Sequence, residues 1–214
     1  MNKYLVIFLC SASTWLCAAE PASRPEMALD RLLKGNERYV KELLEHPNRS
    51  QEHIRTVVES QSPIAAIVGC SDSRTSPVII FDQGIGDLFE VRVAGNVVGP
   101  IEIASVEYAV NILNTPLIVV LGHENCGAIK AVLAHQTQDI EPIAELIESA
   151  LKEAPRSASD NLESATKANV KAVVRQLRAH PAIVRQIAEK KVQVVGGYYN
   201  FNTGKVEILS PIPT

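Results

Sequence analysis

Cys70, Asp72 and Arg74 stand at alternate positions at the end of the stretch Ile64–Arg74, and His123 and Cys126 stand three apart just after Leu117–Leu121. These side chains bind a transition metal and hold a charge beside it. Zinc takes Cys and His in tetrahedral geometry, and three protein ligands leave a fourth position open, as catalytic sites do. Cys70, His123 and Cys126 supply three; a closed site would have to recruit His46, His53, His135 or His180 from elsewhere. Charges at a strand end are costly unless paired. As a pair, Asp72 accepts a hydrogen from a water on the metal, and Arg74 keeps that carboxylate ionised and away from the metal.

Each residue alone has a plainer reading. A Cys after a buried strand is usually core, and a lone His is often structural. Placement of both groups after two similar strands is what favours zinc. Ile64–Val68 and Leu117–Leu121 are apolar runs stopped by Gly69 and Gly122, the form of strands buried on both faces.

Around them the pattern alternates. Met27–Leu44 has helical spacing, with Gly35-Asn36 as a point of punctuation. His53–Glu59 reads as a short helix, Asp87–Val93 as a strand, Ala94–Pro100 as a loop and Ile101–Leu113 as a helix. Ala128–Leu133, Ile140–Ala154 and Asp160–Ala179 are helical, the last with Asp160 as its N-cap, and Pro181 opens another helix to Lys190. Val192–Gly197 is a strand that Asn202–Lys205 turns back into Val206–Leu209. The expected fold is α/β: a mainly parallel central sheet flanked by helices, with a C-terminal edge hairpin. In such sheets the site lies at the carboxyl ends of the strands.

The chain has 214 residues, 46% apolar and 21% charged, which fits one folded domain. A net charge of −3 with no basic block argues against nucleic acid. Residues 1–19 carry Lys3 as their only charge, an apolar stretch and Cys17-Ala-Ala19, the outline of a secretory signal peptide too short to span a membrane comfortably. The expected organisation is a signal peptide over 1–19, a flexible leader over 20–26 and a single domain over 27–214, exported across the inner membrane to the periplasm and free of membrane after cleavage. Cys10 and Cys17 leave with the signal, so Cys70 and Cys126 remain. In an oxidising compartment two cysteines ordinarily suggest a disulfide; a disulfide-bonded binding module and a zinc-binding protein without activity therefore stand beside the enzyme reading.

Cys70-Ser-Asp-Ser-Arg74 together with Gly122-His-Glu-Asn-Cys-Gly127 resembles the β-class carbonic anhydrases of bacteria. The similarity runs from about Met27 to Ile208 and takes in Arg92-Val-Ala-Gly-Asn96, Glu107-Tyr108 and Gly196-Gly-Tyr-Tyr199. The resemblance implies zinc-dependent, reversible hydration of carbon dioxide to bicarbonate and a proton by hydroxide held on zinc. It implies one zinc per subunit on Cys70, His123 and Cys126, the dyad Asp72 and Arg74 beside it, and a homodimer or homotetramer. It also implies that Gln61, Phe89, Tyr108 and Gly127 are substrate-binding, Phe89 and Tyr108 from a neighbouring subunit. Some bacterial members carry a tryptophan three residues before the first zinc Cys as part of an inhibitory bicarbonate site; this chain has Ile67 there. Relatives that hydrolyse carbon disulfide or carbonyl sulfide share the same scaffold.

Overall fold

The structure is a computed structural model and describes residues 24–155, 157 and 161–209. The expected signal peptide, residues 20–23 of the leader and Asp160 lie outside the described residues.

Five strands form one sheet: β1 (Ala65–Gly69), β2 (Leu88–Arg92), β3 (Leu117–His123), β4 (Gln193–Tyr199) and β5 (Val206–Ile208), in the order β2-β1-β3-β4-β5. The first four are parallel, and β5 closes the far edge antiparallel to β4. The fold class is thus the one expected from alternating strands and helices, edge hairpin included.

Successive residues of the central strands serve opposite faces, as the pleat requires. Ala66, Val68, Ile118 and Val120 join one core with α4 (Pro100–Asn111), α7 (Leu162–Ala179) and α8 (Pro181–Ala188). Ala65, Ile67, Leu117, Val119 and Leu121 join the other, against α1 (Arg24–Val40) and α3 (Pro77–Ile80). A third cluster gathers Cys70, Val97, Cys126, Ile129 and Ile147 beyond the strand ends, under α5 (Gly127–Leu133) and α6 (Glu141–Lys152). The site therefore has its own apolar floor.

Several boundaries differ from expectation. The first helix begins at Arg24, inside the expected leader, and runs unbroken through Gly35-Asn36. Asn36 is buried: its side chain donates to the carbonyls of Ile80 (3.1 Å) and Gly204 (2.9 Å) and accepts from the amide of Val206 (2.9 Å). It ties α1 to α3 and β5 rather than punctuating the helix. The short second helix, α2 (Gln51–Thr56), starts two residues early because Ser50 caps it, accepting from the His53 amide at 3.0 Å. Ala94–Asn96, expected as loop, is one 3₁₀ turn. The cap of α7 is Asn161, whose Oδ1 accepts from the Ser164 amide at 2.8 Å. Strand β3 continues two residues past Leu121, through Gly122 to His123. A Cβ on Gly122 would lie 2.6 Å from Val170 Cγ2 and 3.0 Å from Thr166 Cγ2. The glycine admits α7 against the strand rather than ending it.

Candidate metal centre

Register brings the two motifs together. Gly69 of β1 pairs with Leu121 of β3, so Cys70 leaves the first strand level with Gly122 and His123 of the second. His123 is the last residue of β3, and Cys126 is the residue before α5. One donor atom from each of Cys70, His123 and Cys126 lies within 4.8 Å of the others, and all three residues are buried.

The donor set fits zinc. His123 Nδ1 lies 2.8 Å from the carbonyl of Glu124, which can only accept, so Nδ1 carries the proton. His123 Nε2 then presents a lone pair, and it is buried without a hydrogen-bond partner. A buried polar atom left alone is expensive; a metal ion removes that cost. Both cysteines are free thiols, so no disulfide takes them.

Both sulfurs receive amide hydrogens. Cys70 Sγ accepts from Asp72 (3.4 Å) and Gly95 (3.3 Å). Gly95 has φ +74°, where a Cβ is strained, and Asn169 Nδ2 holds its carbonyl at 2.9 Å. The amides of Ala128 and Ile129, at the start of α5, serve Cys126. Donors of this kind draw charge from thiolates and favour their ionised form.

The neighbouring Cys126 thiol is the main reason that the Cys70 thiol is pulled well down; burial opposes, and the two amides assist. Cys126 is pushed up for the converse reason, since it keeps the shared proton beside a thiolate in a buried place. Near neutral pH the metal-free pair therefore carries one thiolate and one thiol. Zinc uptake is expected to release about one proton, so affinity falls about tenfold for each unit of pH lost. Calorimetry in buffers of different ionisation enthalpy counts that proton; release of two would show that Cys70 is not ionised beforehand.

Asp72 sits beside the imidazole, its Oδ2 3.9 Å from His123 Nε2. Arg74 grips it through Nε to Oδ1 (2.9 Å), Nη2 to Oδ2 (2.6 Å) and its amide to Oδ1 (2.9 Å). The Arg74 hydrogen bonds, against a smaller effect of burial, hold the Asp72 carboxyl well below the usual carboxylate range. Arg92 fixes the loop from behind. It donates to the carbonyls of Cys70 (3.0 Å) and Asp72 (2.8 Å), and Thr75 Oγ1 donates to the Asp72 carbonyl at 2.9 Å.

Three of the other expected site residues, Gln61, Phe89 and Tyr108, lie apart. Gln61 and Tyr108 line one surface cleft of about 390 Å³ with Val57, Val58 and Leu113. The ring of Phe89, on the edge strand β2, lies 6.2 Å from that of Tyr108. None of the residues lining this cleft belongs to the Cys70–His123–Cys126 group. Gly127 follows Cys126 directly, and a Cβ there would meet nothing within 4 Å. Ile67 is buried in the sheet and brings no polar group to the centre.

Sequence reasoning gave no role to Arg92, Gly95, Glu124, Asn169 or Phe201. The first three lie inside the motifs, but only the register Gly69–Arg92 and the turned peptide at Gly95 show what they hold. Asn169 and Phe201 carry no local signal.

Residues 65–206 match the profile of the carbonic anhydrase family. Carbonic anhydrase 2 of Mycobacterium tuberculosis is 38% identical over 192 residues, covering 86% of this chain and 93% of that protein. Among solved structures, the Coccomyxa β-carbonic anhydrase in complex with acetazolamide superposes with a TM-score of 0.67 at 30% identity, covering 85% of this chain and 86% of that one. A tetrameric β-carbonic anhydrase from Sordaria macrospora superposes at 0.68 with 24% identity, over 87% of this chain and 98% of that one, a likeness of fold. With the matched span reaching from β1 to β5 and the identity extending over most of both chains, the protein belongs to the β-class carbonic anhydrase family.

Proposed function

We propose that this protein catalyses the reversible hydration of carbon dioxide to bicarbonate and a proton, with one zinc per subunit held by Cys70, His123 and Cys126. The observation that carries this is the unpartnered, buried Nε2 of His123, close to two sulfurs and beside a carboxylate already clamped by arginine. Zinc supplies Lewis acidity there, less than at a three-histidine site because two thiolates cancel its charge.

The protein's own groups do the rest. Asp72 accepts a hydrogen from water at the open side and so aims an oxygen lone pair. A carboxylate kept so firmly ionised is a poor store for a proton, so the proton that water gives up passes on to buffer. Arg74 prevents Asp72 from turning towards the metal ligands. Gly127 leaves space next to Cys126.

Gln61, Phe89 and Tyr108 are proposed to line the carbon dioxide pocket of a neighbouring subunit. What supports this is their gathering away from their own chain's metal ligands, on a surface where Tyr108 and its helix neighbours Ile101 and Ile112 are exposed. An apolar helix face of this kind suits a second copy, giving a homodimer or homotetramer. We read residues 1–19 as a signal for export to the periplasm, followed by one catalytic domain. No helix among the described residues is long and apolar enough to cross a membrane.

Stopped-flow hydration by the purified protein, with zinc measured on the same sample, tests the reading. Activity is expected with about one zinc per chain and is expected to rise from acid to alkaline pH. A rate that stays flat down to about pH 5 counts against a two-thiolate site.

A further inference from the structure

Phe201 lies in the turn after β4, far from both motifs in sequence, yet its ring contacts two groups of the centre. The Arg74 guanidinium carbon lies 4.5 Å from the ring centroid. The His123 ring meets Phe201 edge-on at 5.6 Å between centroids, and the Tyr199 ring does so at 5.3 Å.

Arg74 needs such a wall. Its side chain is 49% exposed, and beyond Asp72 its hydrogen-bond partner is the Asn125 carbonyl at a long 3.4 Å. A guanidinium so open to water changes partners readily. A ring over the guanidinium carbon shields it from water and leaves its donors to the carboxylate, where their fork matches two oxygens.

The ring is itself held. The Glu124 carboxylate accepts from the Phe201 amide (2.8 Å) and from Asn202 Nδ2 (2.8 Å). Asn200 Oδ1 accepts from the amide and the hydroxyl of Thr203, which fixes the rest of the turn. The Glu124 carbonyl accepts the Nδ1 hydrogen of His123. One residue thus sets both the tautomer of His123 and the place of the ring.

We infer that Phe201, anchored by Glu124, is a positioning residue that keeps Arg74 locked in plane against Asp72. The inference rests on the carbon dioxide hydration proposed above. Phe201 touches no reacting atom; it acts through Arg74.

The test uses full-length, zinc-loaded protein as wild type, Phe201→Leu and Phe201→Tyr. Leucine keeps apolar bulk without the π face, and tyrosine keeps the ring. Two readouts are taken: kcat and KM for hydration, and, without substrate, solvent exchange of the Arg74 Nε hydrogen by NMR, assigned from its loss in Arg74→Lys. In Phe201→Leu, kcat is expected to fall about 3- to 10-fold with KM and zinc content unchanged. Its Arg74 hydrogen should exchange faster and lose its upfield ring shift, and Phe201→Tyr should restore both. Wild-type kcat, or wild-type Arg74 exchange, in Phe201→Leu overturns the inference. A zinc-loaded wild type without hydration activity sinks the proposed function instead, and the exchange data still decide whether Phe201 holds Arg74.

Discussion

Replacing His123 with alanine is expected to strip the protein of zinc and to return carbon dioxide hydration to the uncatalysed rate. The imidazole is fully buried, and its Nε2 has no partner but the metal proposed for it. Structural zinc sites supply roughly 10–16 kcal/mol, so losing one of three protein ligands weakens binding on the order of 10³-fold. Cys70→Ser, nearly isosteric, is the companion variant, since it keeps the packing and exchanges a thiolate for a hydroxyl. Zinc content after dialysis, circular dichroism and stopped-flow rates on each variant separate loss of metal from loss of fold. Stoichiometric zinc with undiminished hydration in either would remove these residues from the site.

Asp72→Asn should separate holding the metal from using it. Asparagine has the same size but carries an amide where Arg74 now donates to Oδ2, so the two-pronged pairing cannot form. Its side chain also lacks the charge that orients water. Misplacing a reacting group by about 1 Å can cost about 10²-fold, and a fall of about that size or more in kcat is expected with zinc content unchanged. Wild-type turnover would exclude Asp72 from the mechanism, and loss of zinc would show that the pair serves to hold the ligands.

The sign of the pH dependence rests on the same pair. The Arg74 hydrogen bonds depress the Asp72 carboxyl, so its contribution to stability is fully present above the ordinary carboxylate pKa and is lost progressively as pH falls from there through the much lower folded value. Protonation of Asp72 therefore does not cause a decline of activity above about pH 5.

The architecture was legible because each strand and helix carries its own periodicity. Ile64–Val68 and Leu117–Leu121 are continuous apolar runs since both their faces are covered, while Asp87–Val93 alternates because β2 lies at the sheet edge. Two of the misplaced boundaries are set by long-range contacts. Gly122 looked like a stop because a local pattern cannot show α7 pressing on it, and Gly35-Asn36 looked like a break because the partners of Asn36 lie 44 to 170 residues away.

Side-chain chemistry and its spacing along the chain pointed to a zinc site on Cys70, His123 and Cys126 with the pair Asp72 and Arg74 beside it, because ligand type and pair spacing are local properties, and the reaction followed from the resemblance to a family. Three-dimensional packing alone settled how those groups are held: which imidazole nitrogen faces the sulfurs, which amides point at them, and which ring lies over Arg74. Phe201 reaches the centre from a distant turn, Asn169 from α7 and Arg92 through sheet register, and the chain order of residues does not encode the contacts that bring them there.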